Sequence, residues 1–249
     1  MKLTIVGCAS AYTHRPGAAS SCYLVESGGR AVLLDMGQGS FSELARYRSA
    51  ESLDGVLVSH LHADHLVDLV PLRHYLLYEA DAAGRVAVHG PGELRRRFDA
   101  FQGDGFLDCM TGGALEPGVF ELAGLRIEAR HVTHIEDSYA FRVSPAGGAG
   151  PGLVYSGDCA RADDLVPLLH EGDTLLCEAA FGAGPGGGGG HITAQEAARV
   201  ATEGRVARLV LTHILDRHDP EPARDAAADH YSGEILLARP GLQLGIHSQ

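Results

Sequence analysis

Gly55-Val56-Leu57-Val58-Ser59-His60-Leu61-His62-Ala63-Asp64-His65 is the stretch that decides how this chain is read. Gly55–Ser59 is a short apolar run of the kind that makes a buried strand. Directly after it, four metal-type ligands fall within six residues: His60, His62, Asp64 and His65. In extended backbone the side-chain period is two, so His60 and His62 point to the same side. The chain must then turn, and Asp64 and His65 follow on that turn. Imidazole nitrogen and carboxylate oxygen are ligands zinc prefers. Four such groups crowd a single tetrahedral ion, and two neighbouring ions sharing the cluster relieve the geometry. The competing explanation is a surface loop that happens to be histidine-rich. The ligand density and the strand-end placement weigh against it.

A two-ion site needs ligands from elsewhere, and three candidates sit at strand ends. His134 lies past a strand at Leu125–Val132, with His131 competing in the same stretch. Asp158 follows Leu153–Ser156, and His213 ends Leu209–Thr212. Loops at one edge of a rigid sheet are where sites are built. Taken singly, each has an ordinary alternative: a turn residue for Gly157-Asp158, a satisfied surface or core group for a lone histidine.

Outward from these points the chain alternates elements. Leu3–Gly7 reads as a strand. Ser21–Glu26 and Ala31–Asp35 read as strands joined by the hairpin turn Ser27-Gly28-Gly29-Arg30. Helices are expected at Phe41–Arg48, Leu66–Ala80 and from Pro91 to about Phe101, with Pro71 acceptable only in a first turn. Strands follow at Val86–His89, Leu125–Val132, Ser138–Ser144, Leu153–Ser156, Thr174–Glu178 and Leu209–Thr212. Ala162–His170 and Thr193–Glu203 read as helices, the second with a Thr193/Glu196 capping box. A helix around Glu221–His230 and two closing strands complete the chain. Strands come first in an antiparallel run, then helix and strand interleave, once per half. Two sheets packed face to face with helices outside fit this order, as one α/β domain over residues 1–249.

Composition narrows the function. The 249 residues carry a formal charge of -12, which repels polyanions at long range and makes nucleic acid a disfavoured partner. Histidine is plentiful, at 14 residues. Five widely spaced cysteines without a CxxC pair read as reduced thiols in a cytoplasm. The opening Met1–Gly7 has no signal-peptide character, and no apolar run approaches membrane-spanning length.

These motifs together resemble the metallo-β-lactamase superfamily, in its branch of ribonuclease Z-like phosphodiesterases. The resemblance covers nearly the whole chain. It is carried by Gly7, Asp35-Met36-Gly37, the 60–65 cluster, His89-Gly90-Pro91, and His134 with Phe141-Arg142-Val143 downstream. Tyr155-Ser156-Gly157-Asp158, Cys177-Glu178-Ala179, His191-Ile192-Thr193-Ala194 and Leu211-Thr212-His213 complete it. It implies a four-layer αββα sandwich. It also implies that His60, His62 and His134 hold one zinc, that Asp64, His65 and His213 hold the other, and that Asp158 bridges them. His134 is preferred over His131 because its distance to Phe141-Arg142 matches the branch, which leaves His131 as core or as support behind the ligands. His62 stands where di-iron relatives place glutamate, which favours two zinc ions, with manganese as the alternative loading. The chemistry implied is attack by a metal-bridged hydroxide, with ions about 3.5–4 Å apart. Asp64 would orient the water or accept its proton. His191, oriented by Glu178, would protonate or stabilise the leaving oxygen.

The chain departs from ribonuclease Z in one respect. That family carries a long glycine- and basic-rich arm between the third histidine and the strand bearing Glu178. Here His134 and Asp158 are only 24 residues apart, and one short helix and part of a strand separate Asp158 from Glu178. The only dense basic run is Arg95-Arg96-Arg97, which also reads as a solvated helix face. The expectation is therefore a small-molecule phosphodiester, a cyclic nucleotide or similar, with no membrane partner and a homodimer as the assembly. A thioester or lactone hydrolase on the same scaffold is the alternative, and a transfer-RNA 3′-processing endonuclease is disfavoured. The Gly182–Gly190 tract reads equally as a mobile lid over a small substrate or as a linker.

Overall fold

Alternation along the strands explains why two sheets meet. In the strand Arg30–Leu34, Val32 and Leu34 enter one buried cluster while Ala31 and Leu33 enter another. In Thr174–Glu178, Leu176 faces inward while Leu175 and Cys177 face the opposite way. Strands buried on both faces are covered by a layer on each side. The computed structural model describes residues 1–249 except 12, 148–149, 187–188 and 247–249.

The first sheet has the order β13-β1-β2-β3-β4-β5, from β1 (Lys2–Gly7), β2 (Cys22–Ser27), β3 (Arg30–Leu34), β4 (Gly55–Leu57), β5 (Ala87–His89) and β13 (Gln243–Gly245). The second runs β12-β11-β10-β9-β8-β7-β6, from β6 (Gly118–Leu122), β7 (Leu125–His131), β8 (Tyr139–Pro145), β9 (Leu153–Tyr155), β10 (Thr174–Glu178), β11 (Arg208–Thr212) and β12 (Glu234–Leu237). Ile5, Tyr23, Leu34, Ile127, Phe141, Tyr155 and Val210 fill the space between the sheets. Helices α1 (Ser40–Leu44), α3 (Leu69–Tyr78) and α4 (Leu94–Gln102) cover the first sheet through Leu44, Leu72, Leu76 and Phe98. Helices α5 (Ala194–Glu203) and α6 (Pro220–Ala228) cover the second through small residues, among them Ala197, Ala201 and Ala223. The result is the expected four-layer αββα sandwich.

Parallel pairing decides where side chains gather. β3, β4 and β5 are parallel neighbours, as are β9, β10, β11 and β12. Their C-terminal ends therefore lie along one edge of each sheet, the edge where open α/β sheets bind ligands. Asp35, His60, Asp158, Glu178 and His213 all occur at such ends.

Several elements differ from expectation. The helix expected at Leu66–Ala80 is two, α2 (Ala63–Leu66) and α3, because Asp68 turns aside and its carboxylate accepts the Phe41 amide at 2.8 Å. Pro71 lies in the first turn of α3, where its missing N–H costs nothing. Pro91 does not start a helix. It stands in the turn before α4, and its carbonyl accepts the Leu94 amide. Ala162–Leu168 is a 3-10 segment with Pro167 inside it, since proline lacks the N–H an α-helix would use. β6 was not anticipated. It is an edge strand held by β7. The hairpin turn is as expected, with Gly28 and Gly29 both at positive φ, and so is the capping box. Among the described residues no helix is long and apolar enough to cross a membrane.

Candidate metal centre

The 60–65 segment is shaped by a residue upstream of it. Asp35 ends the Ala31–Asp35 stretch in a left-handed conformation, with φ 60°. Its fully buried carboxylate accepts four hydrogen bonds: from the Ser59 amide at 2.6 Å, Ser59 Oγ at 2.7 Å, Tyr155 Oη at 2.6 Å and His65 Nδ1 at 2.7 Å. It thereby ties the C-terminal end of β4 to α2 and to the opposite sheet. A carboxylate only accepts, so Nδ1 of His65 keeps its proton and Nε2 is the atom left for the centre. Gly37 allows the same approach, since a Cβ there would run into the Asp64 carbonyl oxygen.

Two groups of ligand-type atoms converge beside one another. In the first, His62 Nδ1 lies 3.1 Å from His60 Nε2 and 3.1 Å from His134 Nε2. In the second, Asp64 Oδ2 lies 3.1 Å from His213 Nε2 and 3.5 Å from His65 Nε2. Asp158 Oδ2 stands between them. It is 3.6 Å from His60 Nε2 and 3.8 Å from His134 Nε2 on one side, 3.4 Å from His65 Nε2 and 3.7 Å from His213 Nε2 on the other. All seven residues singled out as ligands thus come together, and each group's ligand atoms lie within 4.8 Å of one another.

The donor set fits cations. His134 Nδ1 donates to the Gly190 carbonyl at 2.6 Å, so in the neutral ring its Nε2 is a bare lone pair. Three imidazole nitrogens meeting at such distances cannot all satisfy one another. His65 Nε2 and Asp158 Oδ1 are buried without a hydrogen-bond partner, and a bound cation satisfies groups of this kind.

Electrostatics divides the groups. Burial pushes His60 well below the usual imidazole range, with His65 adding to it, and burial and His134 lower His62. His134 is lowered by burial despite Asp158. Burial works against His65 as well, yet Asp158 and Asp35 outweigh it and hold that ring well above its ordinary value. His213 is raised for a similar reason, by Asp158 and Asp64 against its own burial.

A third feature borders both groups. Glu178, at the end of β10, is fully buried and accepts the Cys159 amide at 2.7 Å and His191 Nδ1 at 3.0 Å. Burial raises Glu178 even though His191 opposes it. His191 is raised in turn, because the Glu178 hydrogen bond overcomes the cost of burying a charge. His191 Nδ1 lies 3.8 Å from Asp158 Oδ2, and its ring is stacked 5.6 Å from that of His213. His131 takes no part in any of this. It is exposed at the end of β7, against the Tyr139 ring, and is neither core nor behind the ligands. In the glycine tract, residues 187–188 lie outside the described residues. The two ends of the tract are tied down, with the Gly182 carbonyl accepting the Ala194 amide and the Gly190 carbonyl accepting from His134.

Sequence reasoning assigned no role to Asp35, Tyr155, Ser59 or the Gly190 carbonyl. The signal for Asp35 was present in Asp35-Met36-Gly37 at a strand end. Its partners lie 24, 30 and 120 residues away.

Comparison with known proteins identifies the family. The beta-lactamase superfamily domain matches residues 30–214. The probable metallo-hydrolase YhfI of Bacillus subtilis is 31% identical, covering 97% of this chain and 98% of that protein. Its crystal structure, described as a metallo-beta-lactamase fold protein, superposes with a TM-score of 0.88 over 98% of this chain and 99% of that one. A ribonuclease Z of Haloferax volcanii is 28% identical, covering 99% of this chain and 95% of that protein. That alignment runs over 303 positions against 249 residues here, so at least 54 positions in it have no counterpart in this chain. The short form of human tRNase Z shares the fold, with a TM-score of 0.74, 23% identity, and 99% of each chain covered. With its family domain and its metal-type centre both in place, the chain belongs to the beta-lactamase superfamily and is a metallo-hydrolase of that superfamily.

Proposed function

We propose that the chain is a dinuclear zinc phosphodiesterase acting on a small diester, a cyclic nucleotide or similar. One observation carries the reading: a single carboxylate oxygen, Asp158 Oδ2, lies within 3.8 Å of ligand nitrogens in both groups and of His191. His60, His62 and His134 would hold one ion and Asp64, His65 and His213 the other, with Asp158 within reach of both. Two divalent cations bound there supply Lewis-acid charge and make water nucleophilic near neutral pH.

The chain's own groups do the rest. Asp64 is held far below the usual carboxylate range, the His213 and His65 hydrogen bonds outweighing its burial. It therefore stays anionic and orients the attacking water by accepting from it. His191, oriented by Glu178 and kept protonated to higher pH than a free imidazole, gives a proton to the leaving oxygen. Phosphorus gains the oxygen of water, the bond to the leaving oxygen breaks, and the alcohol departs with that proton.

Several features favour a small substrate. The arm-less 134–158 interval holds little beyond β8, β9 and their connection. Arg95, Arg96 and Arg97 are engaged within the chain, with Asp108 and the Met110 carbonyl, with Glu93, and with the Leu61 carbonyl respectively. They leave no basic stripe for a polynucleotide. We take residues 1–249 as one domain, since β13 returns to pair with β1. The five unpaired cysteines, three of them buried, suit a reducing cytoplasm. Tyr78 and Phe101, exposed on α3 and α4, suit a homodimer through that helical face, which sedimentation would test.

The test is a hydrolysis screen of cyclic nucleotides, bis-aryl phosphates, thioesters and lactones with zinc-loaded protein, alongside elemental analysis. Diester turnover with two zinc ions per chain is expected. Turnover of thioesters or lactones with inert diesters, or fewer than two ions, would overturn the reading.

A further inference from the structure

A groove of about 960 Å³ borders the centre at one residue, His213, which stands in its wall. Its other walls come from the loop after β1, the segment from the end of β11 into α6, and the segment from β12 toward β13. That volume lies near the top of the ~300–1,000 Å³ range of small-molecule sites and exceeds what one mononucleotide requires. Ile214, Leu237 and Leu242 give it apolar surface on which a nucleoside can lie.

The charges along the groove do not cancel. Three carboxylates line it, and each is engaged. Asp216 holds Arg15 at 2.9 Å, Glu221 holds Arg224 at 2.8 Å, and Asp219 caps α6 by accepting the Glu221 amide at 3.0 Å. Four arginines line it, and two of them, Arg217 and Arg239, have no carboxylate partner among the described residues. Arg217 Nε donates to His218 Nε2 at 3.2 Å instead, and its terminal nitrogens have no partner among the described residues. The lining thus carries one more arginine than carboxylates, on a chain of net charge -12. A planar guanidinium grips phosphate through paired hydrogen bonds.

We propose that this groove is a second phosphate subsite, in which Arg217 and Arg239 hold a phosphate of the substrate other than the scissile diester. The preferred substrates are then small diesters carrying two phosphates, and a mononucleotide cyclic diester is the poorer member of the class. This rests on the phosphodiesterase reading. Two sources offer the same chemistry, a linear dinucleotide with a 5′-phosphate and a cyclic dinucleotide.

Zinc-loaded protein should be assayed on 5′-phosphorylated diadenylate and cyclic diadenylate, against unphosphorylated diadenylate and 3′,5′-cyclic adenylate. Bis(p-nitrophenyl) phosphate serves as the reference diester. At least one two-phosphate compound should show a KM about tenfold below its one-phosphate counterpart, the scale of one charge-assisted hydrogen bond, and the better of the two names the source. The double variant Arg217→Gln/Arg239→Gln should bring that KM ratio close to one, while Arg217→Lys keeps part of it. Both arginines are exposed, so the fold should hold, which the thermal midpoint checks. Failure to cleave the bis-aryl phosphate removes the phosphodiesterase reading and this proposal with it. Cleavage of that compound with equal KM values across the pairs, or a double variant that lowers kcat and leaves the ratio intact, overturns the groove alone.

Discussion

The two ligand groups differ more than their chemistry requires. Asp64, His65 and His213 are all buried, and their rings sit among carboxylates that keep them readily protonated. In the other group His60 is buried, His134 is partly covered and His62 is exposed, and all three rings are held toward the neutral form. One half is a sealed, charge-compensated cluster built into the core. The other presents imidazole lone pairs on the solvent side. The first half is thus pre-organised by the fold, and the second carries the solvent-exposed ring of His62. Asp158 is the one residue that belongs to both, so its replacement should erase the distinction. Asp158→Asn is expected to lower kcat/KM on a bis-aryl phosphate by at least about a thousandfold, several kcal/mol of lost Lewis-acid stabilisation. Elemental analysis should show metal lost from both positions. Retention of two ions with near-normal turnover would dismiss Asp158 as the shared ligand.

The halves should separate when one ligand is removed from each. His65→Ala leaves the buried Asp35 carboxylate without its imidazole partner. That should cost about 3 kcal/mol of stability in metal-free protein, in the range for breaking a buried charged pair. His62→Ala touches an exposed ring and should stay within about 0.5 kcal/mol. Both variants should lose metal. Chemical denaturation of the two metal-free proteins reads the difference, and equal stabilities would contradict the sealed-and-open distinction. Asp35→Asn is the milder change on the sealed side. It keeps the shape but removes the anion that fixes His65, and a loss of about 10–100-fold in metal affinity is expected. Competition with a chelator measures it, and an unchanged affinity would make Asp35 merely structural.

The open half and the sealed half were not equally legible in the sequence. Ligands declare themselves because a metal needs nitrogen and oxygen donors at close spacing, and a strand followed by a turn delivers them within one short stretch. His60, His62, Asp64 and His65 were readable for that reason. His134, Asp158 and His213 needed the strand-end argument and the family resemblance. The motif around Asp35 was visible but its role was not, because a strand-end aspartate looks like a turn residue until its partners are seen. Its partners arrive by three routes: Ser59 through the pairing of β3 with β4, Tyr155 through the packing of one sheet on the other, and His65 through the packing of α2 on β3. The architecture was legible through period-two burial and the helix signals. The errors came where a long-range contact or a missing N–H overrode local pattern: Asp68 breaking a helix by reaching Phe41, Pro167 turning a helix into a 3-10 segment, and β6, five residues long, held as an edge strand by its pairing with β7.

The smallest expected effect concerns His191, which stands at the border of the two halves, 5.0 Å from the His134 ring and 5.6 Å from that of His213. Burial alone would lower its pKa, and the hydrogen bond to Glu178 reverses the sign. In the proposed reaction the protonated ring is the form that donates to the leaving oxygen. Activity should therefore persist below the raised value and fall as pH climbs through it. Glu178→Gln keeps the burial but removes the anionic acceptor, so the ring loses the interaction that raised it and drops toward the acid side. The alkaline limb of the kcat profile should then move to lower pH by about one unit, which at a fixed pH above it is close to a tenfold loss. His191→Ala should lose the limb altogether, together with part of kcat. The pair of profiles separates a proton donor from a group that only packs against the centre. A limb that stays in place in Glu178→Gln, or that survives in His191→Ala, would assign it to another titrating group and return His191 to a packing role.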